Sequence, residues 1–271
     1  MRTKSAAVPY VFWMAVFVVI PLVLIVVYAF TNYDGAFTLE NFDNIDVFLQ
    51  VFGNSVVLAL IATAICLLIA YPFSYFLAQE GPVFRKVAML LIMLPMWMNF
   101  LLRTYAWMSI LENNGFLNQL LGLFGIGPVH IINTDIAVVL GMVYNFLPFM
   151  ILPIFSVIDK LDHKYIEAAQ DLGANTKNVF TRVVIPLSMP GISTGVTQVF
   201  VPAVSTFIIS RMLGGGGNLL IGDLIDLQFL GNAYNPHLGS AISLVLMVLI
   251  LLCMSLFNQF SDDEDREGMM I

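Results

Sequence analysis

The chain has 271 residues, 59% of them hydrophobic and only 11% charged, and its mean hydropathy is +0.90. Soluble globular domains carry about 25% charged residues, so this composition excludes a soluble protein: too few polar groups exist to cover its surface, and lipid must solvate most of its exterior. The length suits one compact bundle without a large second domain, and the net charge of −7 owes much to one C-terminal run, Asp262-Asp263-Glu264-Asp265-Arg266-Glu267.

The expected fold class is therefore an all-α membrane protein. About 20 apolar residues in a helix cross a bilayer core. In chain order, residues 1–7 form a short N-terminus with Arg2 and Lys4, and the first span follows at 8–30. It is too long for a signal-peptide core, and no A-x-A pattern precedes Thr31, so it is read as retained. The loop after it carries Asp34, Glu40, Asp43 and Asp46 but no Lys or Arg. The second span covers 55–78, Arg85 and Lys86 follow, and the third span covers 87–110. A loop without basic residues leads to the fourth span, 136–158, and then to a long charged loop, 159–190. The fifth and sixth spans cover 192–213 and 240–258, and residues 259–271 are an acidic tail expected to be solvated and disordered. Pro21, Pro72, Pro95, Pro148, Pro153 and Pro202 fall inside the spans, where neighbouring helices and kinks satisfy the freed carbonyls. Cys66 and Cys253 also fall inside apolar runs and read as small packing residues.

Orientation follows from the basic residues. Arg2 and Lys4, Arg85 and Lys86, then Lys160, Lys164, Lys177 and Arg182, and finally Arg266, occupy alternate segments, and the other loops hold only Arg211, at the membrane edge. Six spans agree with this alternation and place both termini and the loop 159–190 in the cytoplasm.

That loop is amphipathic. Tyr165 to Ala174 is rich in helix formers, Asp162 is available as an N-cap, and Gly173 stands where a helix would end. Ile166, Ala169 and Leu172 recur at three-residue steps as a small apolar stripe, while Glu167 and Asp171 lie one turn apart on another face. A second short helix is expected over 176–184, after which Pro186 and Pro190 break the chain. Two readings stand: a connector lying on lipid headgroups, and a docking helix that fits a groove on a cytoplasmic partner.

Glu167-Ala168-Ala169, then Gly173, then Val183-x-Ile185-Pro186 resembles the EAA motif of ABC importer permeases, in register and in the right loop; Val183 and Ile185 replace the family's Ile and Leu. The resemblance implies a type I (MetI-like) permease bundle whose EAA loop is a coupling helix seated in a cleft of an ATP-hydrolysing subunit. It implies ATPase-coupling roles for Glu167, Ala168, Ala169, Asp171, Gly173 and Pro186. The runs Leu94–Trp107, Val201–Phe207, and Leu213-Gly214-Gly215 with 218–225 resemble spermidine/putrescine permeases, more the PotB than the PotC type. In many relatives the positions of Thr206 and Arg211 are Glu and Asp, so an acidic binding role is not carried over there. The implied partners are a second related permease (PotC-like), an ATP-binding dimer (PotA-like), an extracytoplasmic binding protein (PotD-like) and membrane lipid, in a bacterial cell membrane. No cofactor is implied for this chain, since ATP and Mg belong to the partner ATPase, and nucleic acid is not among its expected partners.

A path for flexible polycations combines aromatic faces with a few carboxylates or amides. Trp97, Asn99, Tyr105, Tyr144, Asn145, Asp223 and Asp226 are candidates, with Trp107 and Glu112 nearby in sequence. Each has a plainer reading. Tyr105 and Trp107 suit an interfacial belt, Tyr144 and Asn145 suit bonds between helices, and Asp223 and Asp226 suit a helix cap. Arg103 suits a pairing with a carbonyl or carboxylate rather than a cation ligand. Gly214–Gly217 reads as a flexible outer turn, since no Lys-Ser or Lys-Thr follows it. No Walker sequence, HExxH, Cys/His cluster or nucleophile elbow occurs, so a non-catalytic subunit is expected. A related importer for iron, sulfate or another small solute is the alternative within the class. A stand-alone secondary transporter is the alternative outside it, though no internal repeat or mid-span carboxylate supports that.

Overall fold

The computed structural model describes residues 3–43, 45–217, 219–231 and 233–268. Arg2 and Asn218 lie outside the described residues, as do the side chains of Lys4, Asp46 and the acidic run 262–267. Among the described residues the regular structure is helical, apart from one isolated bridge between Thr31 and Phe37.

Helices α1 (Thr3–Met14) and α2 (Ile20–Ala29) are joined by a π-turn, Ala15–Val19, and together form the first apolar helix. Pro21 at the start of α2 lacks the N–H for a normal turn, and the wider π-turn stands immediately before it. α2 packs against α13 (Pro236–Gly268), the last helix. The backbone of α13 continues to Gly268, so the acidic run expected as a disordered tail is carried on helix.

The centre of the bundle is α3 (Ile45–Gln79), α7 (Asp135–Ile158) and α10 (Ile185–Ser205), packed on one another. Small residues explain how closely these helices approach, because lipid supplies no hydrophobic drive between them and van der Waals contact must serve instead. Ala59, Ala62, Cys66 and Ala70 recur along one face of α3 and are completely buried. A Cβ on Gly191 would sit 2.9 Å from the Pro153 carbonyl, and one on Gly195 2.7 Å from the Met150 sulfur, so these glycines set the α7–α10 contact. Cys66 is free and packs in this core, and Cys253 is free in α13, in keeping with packing roles.

Two expected spans differ. The third is a bent pair: α4 (Pro82–Met93) runs into a 3-10 turn, Leu94–Trp97, and α5 (Phe100–Leu111) with α6 (Phe116–Leu123) leaves at 92°. Pro95 cannot continue the helix, Met98 is extended, and the Asn99 side chain accepts from the Leu101 N–H at 2.8 Å to start a new one. Five helices are thus long and apolar enough to cross a membrane, or six with the bent pair counted as one. The fifth begins early. Pro186 and Pro190 do not break it, because α9 (Thr176–Val179) passes through a π-turn, Phe180–Val184, directly into α10. The wide turn falls where Pro186 leaves the Arg182 carbonyl without its helical donor. This helix ends at Ser205, and α11 (Ile208–Leu213), a glycine turn and α12 (Ile221–Phe229) follow at that end of the bundle.

Candidate functional site

Between α7 and α9 the chain forms α8 (His163–Asp171), at the end of the bundle opposite α11 and α12. Asp162 caps it, accepting from the Lys164 N–H at 3.1 Å. Gly173 closes it at φ +84, where the Gly173 N–H donates to the Gln170 carbonyl at 2.8 Å and the Ala174 N–H to the Ala169 carbonyl at 3.0 Å. This is a Schellman stop, and it turns the chain sharply. Asn175 then caps α9 through the Asn178 N–H at 2.9 Å.

The faces of α8 differ from the stripe expected. Ile166 and Ala169 are half-buried toward the bundle, but Leu172 is 89% exposed. Each three-residue step falls about 60° short of a full turn, so two steps move Leu172 roughly 120° away from Ile166. Tyr165, Ala168 and Leu172 instead share one exposed face, and small Ala168 leaves room between the two larger side chains. The i, i+3, i+7 spacing that reveals this face was present in the sequence. Glu167 and Asp171 are exposed on the other side, as is Gly173, and Pro186 is exposed on α10.

Beneath α8 lies a hollow of about 340 Å³ lined by Tyr75, Gln79, Arg85, Asp159, Ile166 and Val184, among others. Arg85 pairs with Asp159 across it, tying the start of α4 to the end of α7. Phe180 in the π-turn meets the rings of Tyr71 and Tyr75 edge-on at 5.6 and 5.0 Å. Phe180 thus seats the π-turn that follows α8 and α9 against α3.

A second hollow, about 470 Å³ and open on one side, lies among α5, α7 and α10. Phe100, Arg103, Asn145, Phe146, Phe149, Gln198 and Pro202 line it. Asn145, 2% exposed, donates to the Gly141 carbonyl at 2.9 Å, while its own Oδ1 has no partner among the described residues. Pro202 cannot donate to the Gln198 carbonyl one turn back, which leaves that acceptor free of the helix ladder.

Of the other path candidates, Tyr144 meets Trp107 edge-on at 5.2 Å. Trp97 is 77% exposed at the break before α5, Asn99 caps α5, and Tyr105 is exposed. Asp223 and Asp226 belong to another cluster. Asp223 is 1% exposed and accepts from the Ser210 hydroxyl at 2.6 Å and the Leu220 N–H at 3.0 Å. Arg211 reaches Asp226 at 2.5 Å and Asp223 at 3.8 Å. Burial pushes the Asp223 carboxyl above its ordinary range, with Asp226 adding to the rise, while Ser210, Leu220 and Arg211 hold it back. The structure thus brings Asp223 and Asp226 together with Arg211 and Tyr144 together with Trp107, and it places Asn145 alone of the candidates in the open hollow. Sequence reasoning passed over Arg103 and Gln198 as lining residues, because only the crossing of three distant helices brings them to one wall.

A bundle of membrane-length helices, with a capped, exposed helix on one loop and an open hollow among three of its helices, is an architecture suited to a membrane transport component. The chain belongs to the family described as binding-protein-dependent transport system inner membrane component, whose model matches residues 70–263. It is 43% identical over 250 residues to the spermidine/putrescine transport system permease protein PotB of Haemophilus influenzae, covering 89% of this chain and 87% of that one. It is 39% identical over 248 residues to the protein of the same name from Escherichia coli K12, covering 88% and 90%. The fold is similar to a chain of a bacterial ABC transporter involved in the import of the acidic polysaccharide alginate, with TM-score 0.76 at 17% identity, covering 96% and 94%.

Proposed function

We propose that this chain is the permease subunit of an ATP-driven importer for polyamines of the spermidine/putrescine class, in the plasma membrane of a bacterium. The observation that carries the substrate class is the 43% identity to a spermidine/putrescine permease over 89% of the chain. In this reading both termini and α8 face the cytoplasm, as the distribution of Lys and Arg favours. The Tyr165/Ala168/Leu172 face and the carboxylates Glu167 and Asp171 dock into one subunit of an ATPase dimer. ATP and Mg are bound and used there, and this chain supplies no cofactor site. A second, related permease completes the pathway, and an extracytoplasmic binding protein delivers substrate to the end carrying α11 and α12.

Support for coupling through α8 comes from its geometry: a rigid, doubly capped helix with an exposed apolar face, linked by Phe180 to the central helices. The four-component complex in liposomes tests the reading. ATP-dependent uptake of spermidine or putrescine, lost with Gly173→Asp, is the expected result. Uptake without the ATPase, or Gly173→Asp leaving both ATPase recruitment and uptake unchanged, overturns it. One observation favours the runner-up, an importer of sulfate or a similar small solute: a guanidinium, not a carboxylate, lines the open hollow. Uptake of sulfate or iron in place of polyamines decides for that alternative.

A further inference from the structure

Arg103 stands one turn into α5 and is 9% exposed, with its guanidinium carbon 5.8 Å from the centre of the Phe100 ring. Among the described residues its Nε–H has no acceptor, and no carboxylate lies within ion-pair distance of it. The same hollow is lined by Asn145, whose Oδ1 has no partner among the described residues. A cation inside a membrane protein is costly and is found facing a partner or a wet cavity.

Depth narrows what can neutralise it. Asn145 lies ten residues from the start of the 24-residue α7, roughly 15 Å along the axis at about 1.5 Å per residue. With α7 entering the hydrocarbon at its first turn, that is near the middle of a core about 30 Å thick, which sets this part of the hollow's wall far from lipid phosphate. A polycationic substrate repels a guanidinium. The ionic partner of matching chemistry is a carboxylate, and the open side of the hollow is where a second chain would present one.

We propose that Arg103 is the resident counter-cation of a carboxylate presented across this hollow by the second permease chain, and that an ammonium group of the substrate displaces it during passage. The inference rests on the polyamine reading above. Exchanging one cation for another keeps the carboxylate neutralised throughout, while the displaced guanidinium turns to the open hollow and the Phe100 ring. The rest of the wall suits the incoming group. The Asn145 and Gln198 amides offer acceptors, and Phe100, Phe146 and Phe149 offer ring faces. A site built this way binds weakly and releases readily, because the guanidinium competes for the carboxylate and returns as the ammonium leaves.

The test uses the complete complex in liposomes and measures spermidine uptake. Arg103→Gln leaves the carboxylate to the substrate, so KM and kcat both fall, each by about fivefold or more, while Arg103→Lys stays near wild type. Arg103→Glu places like charges together and reduces uptake by about a hundredfold. Changing one intramembrane Asp or Glu of the second chain to Arg then restores it to within about tenfold. Arg103→Cys, in a background without Cys66 and Cys253, forms a disulfide with a cysteine at that same position of the second chain, more slowly when spermidine is present. This readout serves where Arg103→Glu fails to assemble. A competent wild type in which Arg103→Gln lowers kcat with KM unchanged, no reversal rescues Arg103→Glu and no cross-link forms overturns this inference alone. A wild-type complex that takes up no spermidine overturns the polyamine reading and the displacement step with it.

Discussion

The hydroxyls of Tyr71 and Ser188 meet at 2.8 Å between α3 and α10, on the same tyrosine whose ring Phe180 meets edge-on. Ser188 also donates to the Ile185 carbonyl at 2.9 Å, so the proton between the two hydroxyls is Tyr71's. The pair therefore joins the central helix of the bundle to the first turn of the helix that follows the exposed loop.

The two deletions of this bond are unequal. Tyr71→Phe removes a donor, leaves Ser188 satisfied by Ile185, and costs about 1 kcal/mol. Ser188→Ala strands the buried Tyr71 hydroxyl and costs about 1–3 kcal/mol. Thermal unfolding of the purified complex should rank Ser188→Ala below Tyr71→Phe. The reverse order would show that Tyr71 has another acceptor.

Gly173 is required by its backbone rather than by space, since nothing lies within 4 Å of a Cβ built there while φ is +84. Gly173→Ala should cost about 1–2 kcal/mol in the α8 stop, and Gly173→Asn distinctly less, because Asn tolerates this conformation. ATPase recruitment and uptake should follow that order. Equal losses for both variants would mean that the glycine makes room for a partner, not for the turn.

What the sequence revealed tracks how local each signal is. The caps of α8, Asp162 and Gly173, were legible because a cap acts over three or four residues. The spans were legible because lipid imposes one composition along a whole helix. The break at Pro95 was missed because six prolines looked alike; Asn99, a capping residue four positions later, is what distinguishes this one. Pro186 was expected to end a helix, yet a π-turn absorbs it, which depends on Phe180 being gripped by Tyr71 and Tyr75. The hollow around Arg103 was invisible, since its wall is drawn from α5, α7 and α10, with Phe100 and Pro202 about a hundred residues apart at the extremes.

Asp223 makes a pH-dependent prediction. Burial raises its pKa in the folded protein above the ordinary 3.8. A carboxyl with a raised folded pKa binds its proton more tightly folded than unfolded. Its contribution to stability is therefore largest below 3.8 and declines as pH rises through the folded value. Asp223→Asn keeps an acceptor for Ser210 or Leu220 and removes the titration. Melting temperatures measured upward from pH 4 should show the wild type losing ground to Asp223→Asn. Parallel curves would mean that Arg211, 3.8 Å away, fully compensates the charge.

Asn118 knots the segment between α5 and α7, and no motif announced it. Its amide nitrogen lies within bonding distance of the Glu112, Asn113 and Val129 carbonyls, at 3.3, 3.1 and 3.0 Å. Its oxygen accepts from the Val129 N–H at 2.8 Å. One side chain thus pins residues on both sides of α6, whose surroundings otherwise expose Leu123, Phe124 and Ile126. Asn118→Ala leaves the Val129 N–H and these carbonyls to water or to each other, at about 1–3 kcal/mol. Asn118→Asp keeps the acceptor for Val129 but turns repulsive toward the carbonyls, so it should not rescue. Hydrogen exchange over residues 112–133 should quicken in both variants while the central helices α3, α7 and α10 stay protected. Unchanged exchange at Val129 would show that the loop is held by its flanking helices and not by Asn118.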